Sequence, residues 1–216
     1  MNRIKAVLFD LDGTLMDSMP AHFEAWNLAL KDHNVVLDYQ ELCLSEGADC
    51  YKIINEIFES RNRPIDPQII DVIAELKTKY YVQRPRPKLF DYVNEILALL
   101  QTNKVSLALV TGGSLENIRH SLESSVLERF KVIIKAGDTE RGKPYPDPYI
   151  EALRQLKIEP QDAIVVENAP YGIKAAKLAG IMCIAVSTTL HPNYLSEADI
   201  VLKSHEELLS FFKKSF

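Results

Sequence analysis

The hydrophobic residues of this chain fall into short continuous runs and into amphipathic stretches, which occupy different parts of the sequence. The first run, at residues 4–9, is mostly apolar and partly β-branched, which predicts a strand buried on both faces. After residue 85, further short runs alternate with helical periodicity. These later runs predict strands at residues 105–110, 132–135, 163–166, 181–186 and 200–202.

Between residue 17 and residue 84 the apolar positions recur at three- and four-residue steps, which is typical of helices. Ser18 or Asp17 is expected to cap the first of these helices. Further helices of this region are predicted at residues 39–44, 50–59 and 67–82. The remaining predicted helices span residues 90–100, 115–123, 148–156 with Asp147 as N-cap, a segment ending at residue 178, and 206–212.

Together these patterns predict an α/β fold, with a Rossmann-like parallel sheet core, helices on both faces and an inserted α-helical cap domain. We assign residues 1–16 and 85–216 to the α/β core and residues 17–84 to the helical cap. The cap would join the core near residues 16–20 and 84–88, where prolines in the second segment end the helical pattern. Attachment at two points suits a lid over the edge of the sheet.

Composition narrows the class of protein and of partner. The 216 residues are 47% hydrophobic and carry a net charge of −5, with basic runs no longer than pairs, so no nucleic-acid or membrane partner is expected. The three cysteines are odd in number and lack zinc-type spacing, which predicts free thiols. Without a membrane-length apolar stretch or a signal-peptide pattern, we expect a cytoplasmic protein, a monomer or small homo-oligomer.

Two carboxylates and a glycine end the first predicted strand. Asp10 and Asp12 lie where ligands bind in an open parallel sheet, and Gly13 permits a sharp turn beside them. Their i, i+2 spacing lets both carboxylates approach one ligand. Two such charges repel unless they share a proton or a cation, and oxygen ligands favour magnesium. An ordinary turn with acidic residues can have the same pattern as residues 10–13. The specific signal is therefore the longer pattern over residues 10–18.

Thr111, Gly112 and Gly113 follow the strand predicted at residues 105–110 and precede a helix. A hydroxyl beside unblocked glycine amides at a helix N-terminus suits phosphate oxygens. A polar turn capped by Ser114 is the alternative interpretation of the same residues.

Lys143 lies between a glycine and a proline-rich turn, in the sequence GKPYPD. A restrained lysine that reaches inward can neutralise both a carboxylate and a phosphoryl group, although most lysines are solvated surface charges. Glu167 and Asn168 end the strand predicted at residues 163–166. Their oxygens can ligate a hard cation, and Asn168 can also cap the following helix.

The four motifs resemble those of the haloacid dehalogenase (HAD) superfamily of phosphotransferases, in particular the subfamily of β-phosphoglucomutases and phosphoglycolate phosphatases with a helical cap. The resemblance implies that Asp10 attacks phosphorus and that Asp12 is the acid and base. The catalytic residues it implies are Asp10, Asp12, Thr111 and Lys143, and the implied phosphate-binding residues are Gly112, Gly113 and His22.

The resemblance also implies Mg²⁺ as the cofactor. The implied ligands are Asp10, the backbone carbonyl of Asp12, Glu167 and Asn168. This family usually carries a Glu-Asp or Asp-Asp pair where this chain has Glu-Asn. Because an amide oxygen brings no charge, we expect a lower affinity for the metal.

The resemblance leaves the subfamily open. The segment around His22 looks like the cap entry of β-phosphoglucomutases, although a packing role for this histidine is equally compatible with the pattern. Cys50 lies where the mutase has a phosphate-binding arginine. Other cap cations could replace that arginine, namely Lys77, Lys79 and Arg84.

We therefore predict a magnesium-dependent phosphatase of small, sugar-phosphate-like metabolites that works through an aspartyl-phosphate. A β-phosphoglucomutase-type mutase is one alternative, and a non-enzymatic phospho-acceptor signalling or inactive ligand-binding module is another. Asp12 would need neighbours that raise its pKa, while Asp10 stays ionised.

Overall fold

A parallel sheet forms the centre of the computed structural model, which describes residues 4–216. The strands are β1 (Ala6–Phe9), β2 (Met16–Asp17), β3 (Lys88–Leu89), β4 (Ser106–Val110), β5 (Val132–Ile134), β6 (Ala163–Glu167), β7 (Met182–Val186) and β8 (Ile200–Leu202). Six of them form one sheet in the order β5-β4-β1-β6-β7-β8, and every pairing in it is parallel. The first strand of the chain is thus central.

Ten α-helices accompany the strands within the described residues. They are α1 (Met19–Leu30), α2 (Tyr39–Leu44), α3 (Cys50–Ser60), α4 (Pro67–Val82), α5 (Val93–Thr102), α6 (Leu115–Ser121), α7 (Ser124–Leu127), α8 (Asp147–Leu156), α9 (Pro170–Leu178) and α10 (His205–Ser215). None of the helices between residues 4 and 216 has both the length and the apolarity needed to cross a bilayer.

The position of β1 follows from its apolar sequence. Ala6 and Leu8 are fully buried in one hydrophobic cluster, and Val7 and Phe9 in another on the opposite face of the sheet. Complete burial of both faces fits a strand in the interior of the sheet, where β4 and β6 are its neighbours. The structure therefore confirms the predicted α/β fold, and it brings the carboxyl ends of β1, β4 and β6 to one edge.

A short antiparallel ribbon joins the two ends of the helical insert. Met16 pairs with Leu89 and Asp17 with Lys88, and the helices α1 to α4 lie between these two strands. The sequence did not predict this ribbon because two-residue strands show no periodicity. We propose these linkers as the boundaries of the cap at residues 17–84.

Two predicted helix caps are wrong. Ser18 occupies the N-cap position of α1, but its side chain makes no capping hydrogen bond and instead donates to Asp12. Asp147 lies inside the first turn of α8, where it pairs with Arg141, and Pro146 is the N-cap residue. The α5 helix also begins later than predicted, because residues 88 and 89 form β3.

Candidate active site

Asp10 follows β1 directly and is fully buried. Its Oδ1 atom accepts a hydrogen bond of 2.7 Å from Lys143, whereas Oδ2 is buried with no partner among the described residues. Burial raises the pKa of Asp10 to about 7, although Lys143 acts in the opposite direction; Glu167 and Asp12 raise it further. Asp10 therefore pairs with Lys143 through one oxygen and presents the other, buried oxygen without a hydrogen-bond partner.

Lys143 carries a positive charge that two carboxylates share, those of Asp10 and Glu167. The ammonium donates to Asp10, to Glu167 Oε1 at 2.7 Å and to the carbonyl oxygen of Val110 at 2.9 Å. Although burial disfavours the charged form, the two carboxylates outweigh it and raise the pKa of Lys143. One cation between two anions leaves net negative charge, so Glu167 adds to the effect of burial, which is the main cause of the raised pKa of Asp10.

Glu167, at the end of β6, is held by further contacts that the sequence gave no reason to expect. Tyr149 of α8 donates its hydroxyl proton to Oε1 at 2.7 Å, and the backbone amide of Asn168 donates to Oε2. A Cβ atom on Gly172 would lie 1.7 Å from Oε1, so a glycine is required in the first turn of α9. Tyr149 and Gly172 therefore position Glu167, and neither was predicted as a site residue.

Asp12 is buried and accepts two hydrogen bonds on Oδ1, from Ser18 at 2.6 Å and from His22 Nε2 at 3.0 Å. Burial acts to raise the pKa of Asp12, but His22, Ser18 and Lys77 outweigh it and hold that pKa below its ordinary value. The expectation that its neighbours would raise the pKa of Asp12 is therefore wrong. Of the two aspartates, Asp10 has the raised pKa and Asp12 the lowered one. The lowering comes chiefly from His22 and Ser18, both of which donate to this carboxylate.

His22 and Lys77 connect the cap to Asp12. Lys77 is buried, and its Nζ lies 2.9 Å from His22 Nδ1. Because an ammonium can only donate, Nδ1 accepts and Nε2 carries the proton donated to Asp12. Burial and the Lys77 charge lower the pKa of His22, which favours this neutral imidazole. Tyr81 stacks on the ring at 3.9 Å.

The three cap cations considered for a second phosphate differ in their positions. Lys77 is engaged with His22, and Arg84 pairs with Glu24 at 3.2 Å. Lys79 is exposed and lines the cavity described below. A contact of His22 with substrate stays a prediction, because its observed polar partners are Asp12 and Lys77.

Thr111 lies at the end of β4, beside the two glycines. Its Oγ1 accepts a hydrogen bond from the Gly113 amide at 3.0 Å, and its own amide donates to Ile134. Gly112 also contacts the cap: a Cβ atom there would lie 2.6 Å from the Gly47 carbonyl oxygen and 2.5 Å from that of Ala48. The loop between α2 and α3, here called the cap loop, contains Gly47 and Ala48. The absence of a side chain at Gly112 therefore lets the cap loop lie against the edge of the sheet.

We expect Gly112→Ala to lower kcat/KM by about 10- to 100-fold, since the added methyl group must displace the cap loop and small misplacements of a closing element are costly. Steady-state kinetics would measure it. Gly142→Ala is the matched control, because the nearest atom to its added methyl is a side-chain oxygen at 3.2 Å. Equal losses in both variants would contradict a role for Gly112 in docking the cap.

The residues at this edge fit a hard divalent cation with few charged ligands. Asp10 Oδ2 is a buried, unpaired oxygen, and Asn168 presents an amide oxygen that accepts from Thr14 at 2.9 Å. The side-chain nitrogen of Asn168 also donates to the Thr189 hydroxyl, which fixes the orientation of the side-chain amide. Within residues 4–216 no three His, Cys, Asp or Glu side chains converge as a metal cluster. A cation here would therefore rely on mixed donors, including the Asp12 carbonyl, with substrate and water completing the shell.

A cavity of about 650 Å³ lies between the cap and the sheet edge. Asp12 and His22 line it from one side, Gly112 and Gly113 from another, and Glu46 of the cap loop from a third. The structure thus places the predicted acid/base and the phosphate-loop glycines around one space that is large enough for a small metabolite.

Known proteins are similar to this chain in sequence. A sequence profile of the family described as haloacid dehalogenase-like hydrolase matches residues 7–186. The chain is 35% identical over 206 residues to the validoxylamine A 7'-phosphate phosphatase of Streptomyces hygroscopicus subsp. limoneus, covering 94% of this chain and 95% of that protein. It is 31% identical to hexitol phosphatase A of Escherichia coli (strain K12), covering 95% and 94%.

Solved structures share the fold. CbbY of Rhodobacter sphaeroides, solved in complex with phosphate, superimposes with a TM-score of 0.80 at 29% identity, covering 95% of this chain and 96% of that one.

Proposed function

The chain belongs to the haloacid dehalogenase-like hydrolase family, and from this we propose that it is a magnesium-dependent phosphatase of small, sugar-phosphate-like metabolites that works through an aspartyl-phosphate on Asp10. The observation that carries the proposal is the contrast between two neighbouring aspartates. Asp10 has a free, buried oxygen beside Lys143, whereas Asp12 is bonded to Ser18 and His22.

The first half of the reaction transfers the phosphoryl group to the protein. A carboxylate oxygen of Asp10 forms a bond to phosphorus while the bond to the leaving oxygen breaks, and Asp12 gives its proton to that oxygen. Mg²⁺, when bound, supplies charge stabilisation for the phosphoryl oxygens. Lys143 and Thr111 line the same site and add an ammonium and a hydroxyl donor.

The second half needs Asp12 as a base. Asp12 removes a proton from the attacking water, the bond between phosphorus and Asp10 breaks, and orthophosphate leaves. The lowered pKa of Asp12 without substrate matches this half of the cycle. A bound phosphoryl dianion raises the pKa of a nearby carboxyl group, so substrate binding supplies the shift toward the acid form that the first half needs.

A sugar-phosphate mutase of the β-phosphoglucomutase type is the second candidate, favoured by the hydrogen bond from His22 to Asp12. Two observations weigh against it: Lys77 is engaged with His22, and Cys50 lines the cavity where the mutase has a phosphate-binding arginine. A mutase needs a cap cation to hold the second phosphate. Among residues 4–216, the buried cap cation Lys77 is already bonded to His22, Arg84 pairs with Glu24, and Lys79 is exposed.

The experiment that tests the proposal separates the two candidates. Purified protein with Mg²⁺ is incubated with a panel of sugar and alditol phosphates, and orthophosphate release is measured beside interconversion of glucose 1-phosphate and glucose 6-phosphate. We expect release to dominate. Faster interconversion would establish the mutase, and no activity of either kind would overturn both.

The pKa of Asp10 leads to a prediction about metal affinity. A cation binds the ionised carboxylate, and with a pKa of about 7 the ionised fraction falls about tenfold between pH 8 and pH 6. We expect the dissociation constant for Mg²⁺, measured by calorimetry without added phosphate, to rise about tenfold over that range. The Asp10→Asn variant, which has no titrating carboxyl group there, should lack this dependence, and a pH-independent wild-type affinity would be inconsistent with Asp10 as a ligand.

A further inference from the structure

The cavity beside Asp12 carries more negative than positive charge. Five carboxylates line it and only two ammonium groups do, with no arginine among the lining residues within 4–216. One of the two cations, Lys77, is bonded to His22, and the other, Lys79, is exposed. The carboxylates are Asp12, Glu46, Asp49, Glu75 and Glu116.

Glu46 differs from the other acids of this set in its surroundings. Glu75 and Glu116 are exposed, and Asp49 accepts a hydrogen bond from the amide of Lys52 at the start of α3. Glu46 is half-buried, and among residues 4–216 no side chain donates a hydrogen bond to its carboxylate. The backbone amide of Gly47 is the donor it has in that part of the chain, which leaves lone pairs on the carboxylate to accept hydrogen bonds from a molecule in the cavity.

The backbone fixes the position of Glu46. The next residue, Gly47, has a φ of 89°, and a Cβ atom there would lie 3.2 Å from Cδ of Lys143. The same loop lies against Gly112 through the Gly47 and Ala48 carbonyls. Glu46 is thus held next to the phosphoryl site, on the side of the cavity that a leaving group would occupy.

Resting on the proposed phosphatase activity, we propose that Glu46 determines which leaving group is accepted: an alcohol rich in hydroxyl groups, or one carrying an amine, is bound, and one carrying a second anion is rejected. Hydroxyl and ammonium groups donate to a carboxylate, whereas a carboxylate or second phosphate placed beside Glu46 adds like charge in a partly desolvated space.

The carboxylates around Glu46 disfavour further negative charge in this part of the cavity. Asp12 and Asp10 act on Glu46 as like charges, and Lys77 acts in the opposite direction. A further anion therefore adds to the repulsion already present, and an amine reduces it.

Two pairs of substrates isolate the charge of the leaving group. Glucitol 6-phosphate and 6-phosphogluconate are open-chain compounds that differ by one carboxylate, and glucose 6-phosphate and glucosamine 6-phosphate are rings that differ by one amine. For wild type we expect kcat/KM for 6-phosphogluconate to be at least about tenfold below that for glucitol 6-phosphate. In Glu46→Gln this difference in kcat/KM should shrink about tenfold, mainly through KM. The ratio of kcat/KM for glucosamine 6-phosphate to that for glucose 6-phosphate should fall by a similar factor.

The controls separate failure of this inference from failure of the proposed function. Glu59→Gln removes one charge from an exposed residue outside the cavity and should leave both ratios unchanged. Phosphatase activity with ratios that Glu46→Gln does not move would overturn the role of Glu46 and leave the proposed function intact. If the protein hydrolyses p-nitrophenyl phosphate but none of the four compounds, the four are tested as inhibitors of that hydrolysis. Their inhibition constants must then show the same ratios. Absence of any hydrolysis would overturn both proposals.

Discussion

Replacing Asp10 by asparagine is expected to lower kcat at least about 10⁴-fold, because the variant has no carboxylate to attack phosphorus. The fold should remain. Asparagine has nearly the same shape, and its Oδ1 atom can still accept the hydrogen bond that Lys143 donates to Asp10 at 2.7 Å. Phosphate release under saturating substrate measures the effect.

The same variant should be at least as stable as wild type at pH 8 without Mg²⁺. The folded pKa of Asp10, about 7, lies above its ordinary value of 3.8. The folded state therefore binds more protons between these values, and the stability linked to this group is lost as the pH rises through 7. Asparagine removes that loss. A large drop in Tm at pH 8 would contradict a raised pKa for the buried Asp10 carboxyl group.

Replacing Lys143 by methionine should have the second-largest effect, on both activity and stability. The ammonium is buried and bonded to two carboxylates, so its removal leaves Asp10 and Glu167 facing each other unneutralised. Breaking a buried pair in this way costs about 3–5 kcal/mol, which corresponds to a fall in Tm of roughly 10 °C for a chain of this length. We expect kcat to fall about 10³-fold. Thermal unfolding and steady-state kinetics measure the two losses.

A double variant separates the two roles of Lys143. Adding Glu167→Gln to Lys143→Met removes one of the unpaired charges, so part of the lost Tm should return while kcat stays low. If the single variant unfolds at the wild-type temperature, the three charged groups do not form the coupled cluster described above.

The sequence located the sheet and the motif residues because both are local patterns. The strand β1 is an apolar run, and Asp10 follows it directly; Lys143 was marked by its glycine and prolines. Parallel strands then bring such termini to one edge of the sheet, which is why four separate motifs could be assigned to one site.

What the sequence could not predict depends on contacts between distant parts of the chain. The bond between Lys77 and His22 joins residues 55 positions apart, and the Lys77 charge adds to the lowering of the Asp12 pKa by His22 and Ser18. The bond from Tyr149 to Glu167 and the position of Glu46 in the cavity likewise follow from packing of the cap and of α8. No periodicity or spacing signals these contacts.

The central claim is that Asp10 receives the phosphoryl group while Asp12 handles the proton. Mass spectrometry of peptides after acid quenching during turnover tests it most directly. The account predicts a phosphoryl mass increment on the peptide that contains Asp10, removable by hydroxylamine and lost in the Asp10→Asn variant. Turnover with the increment on a different residue, or with none at any quench time, would contradict it.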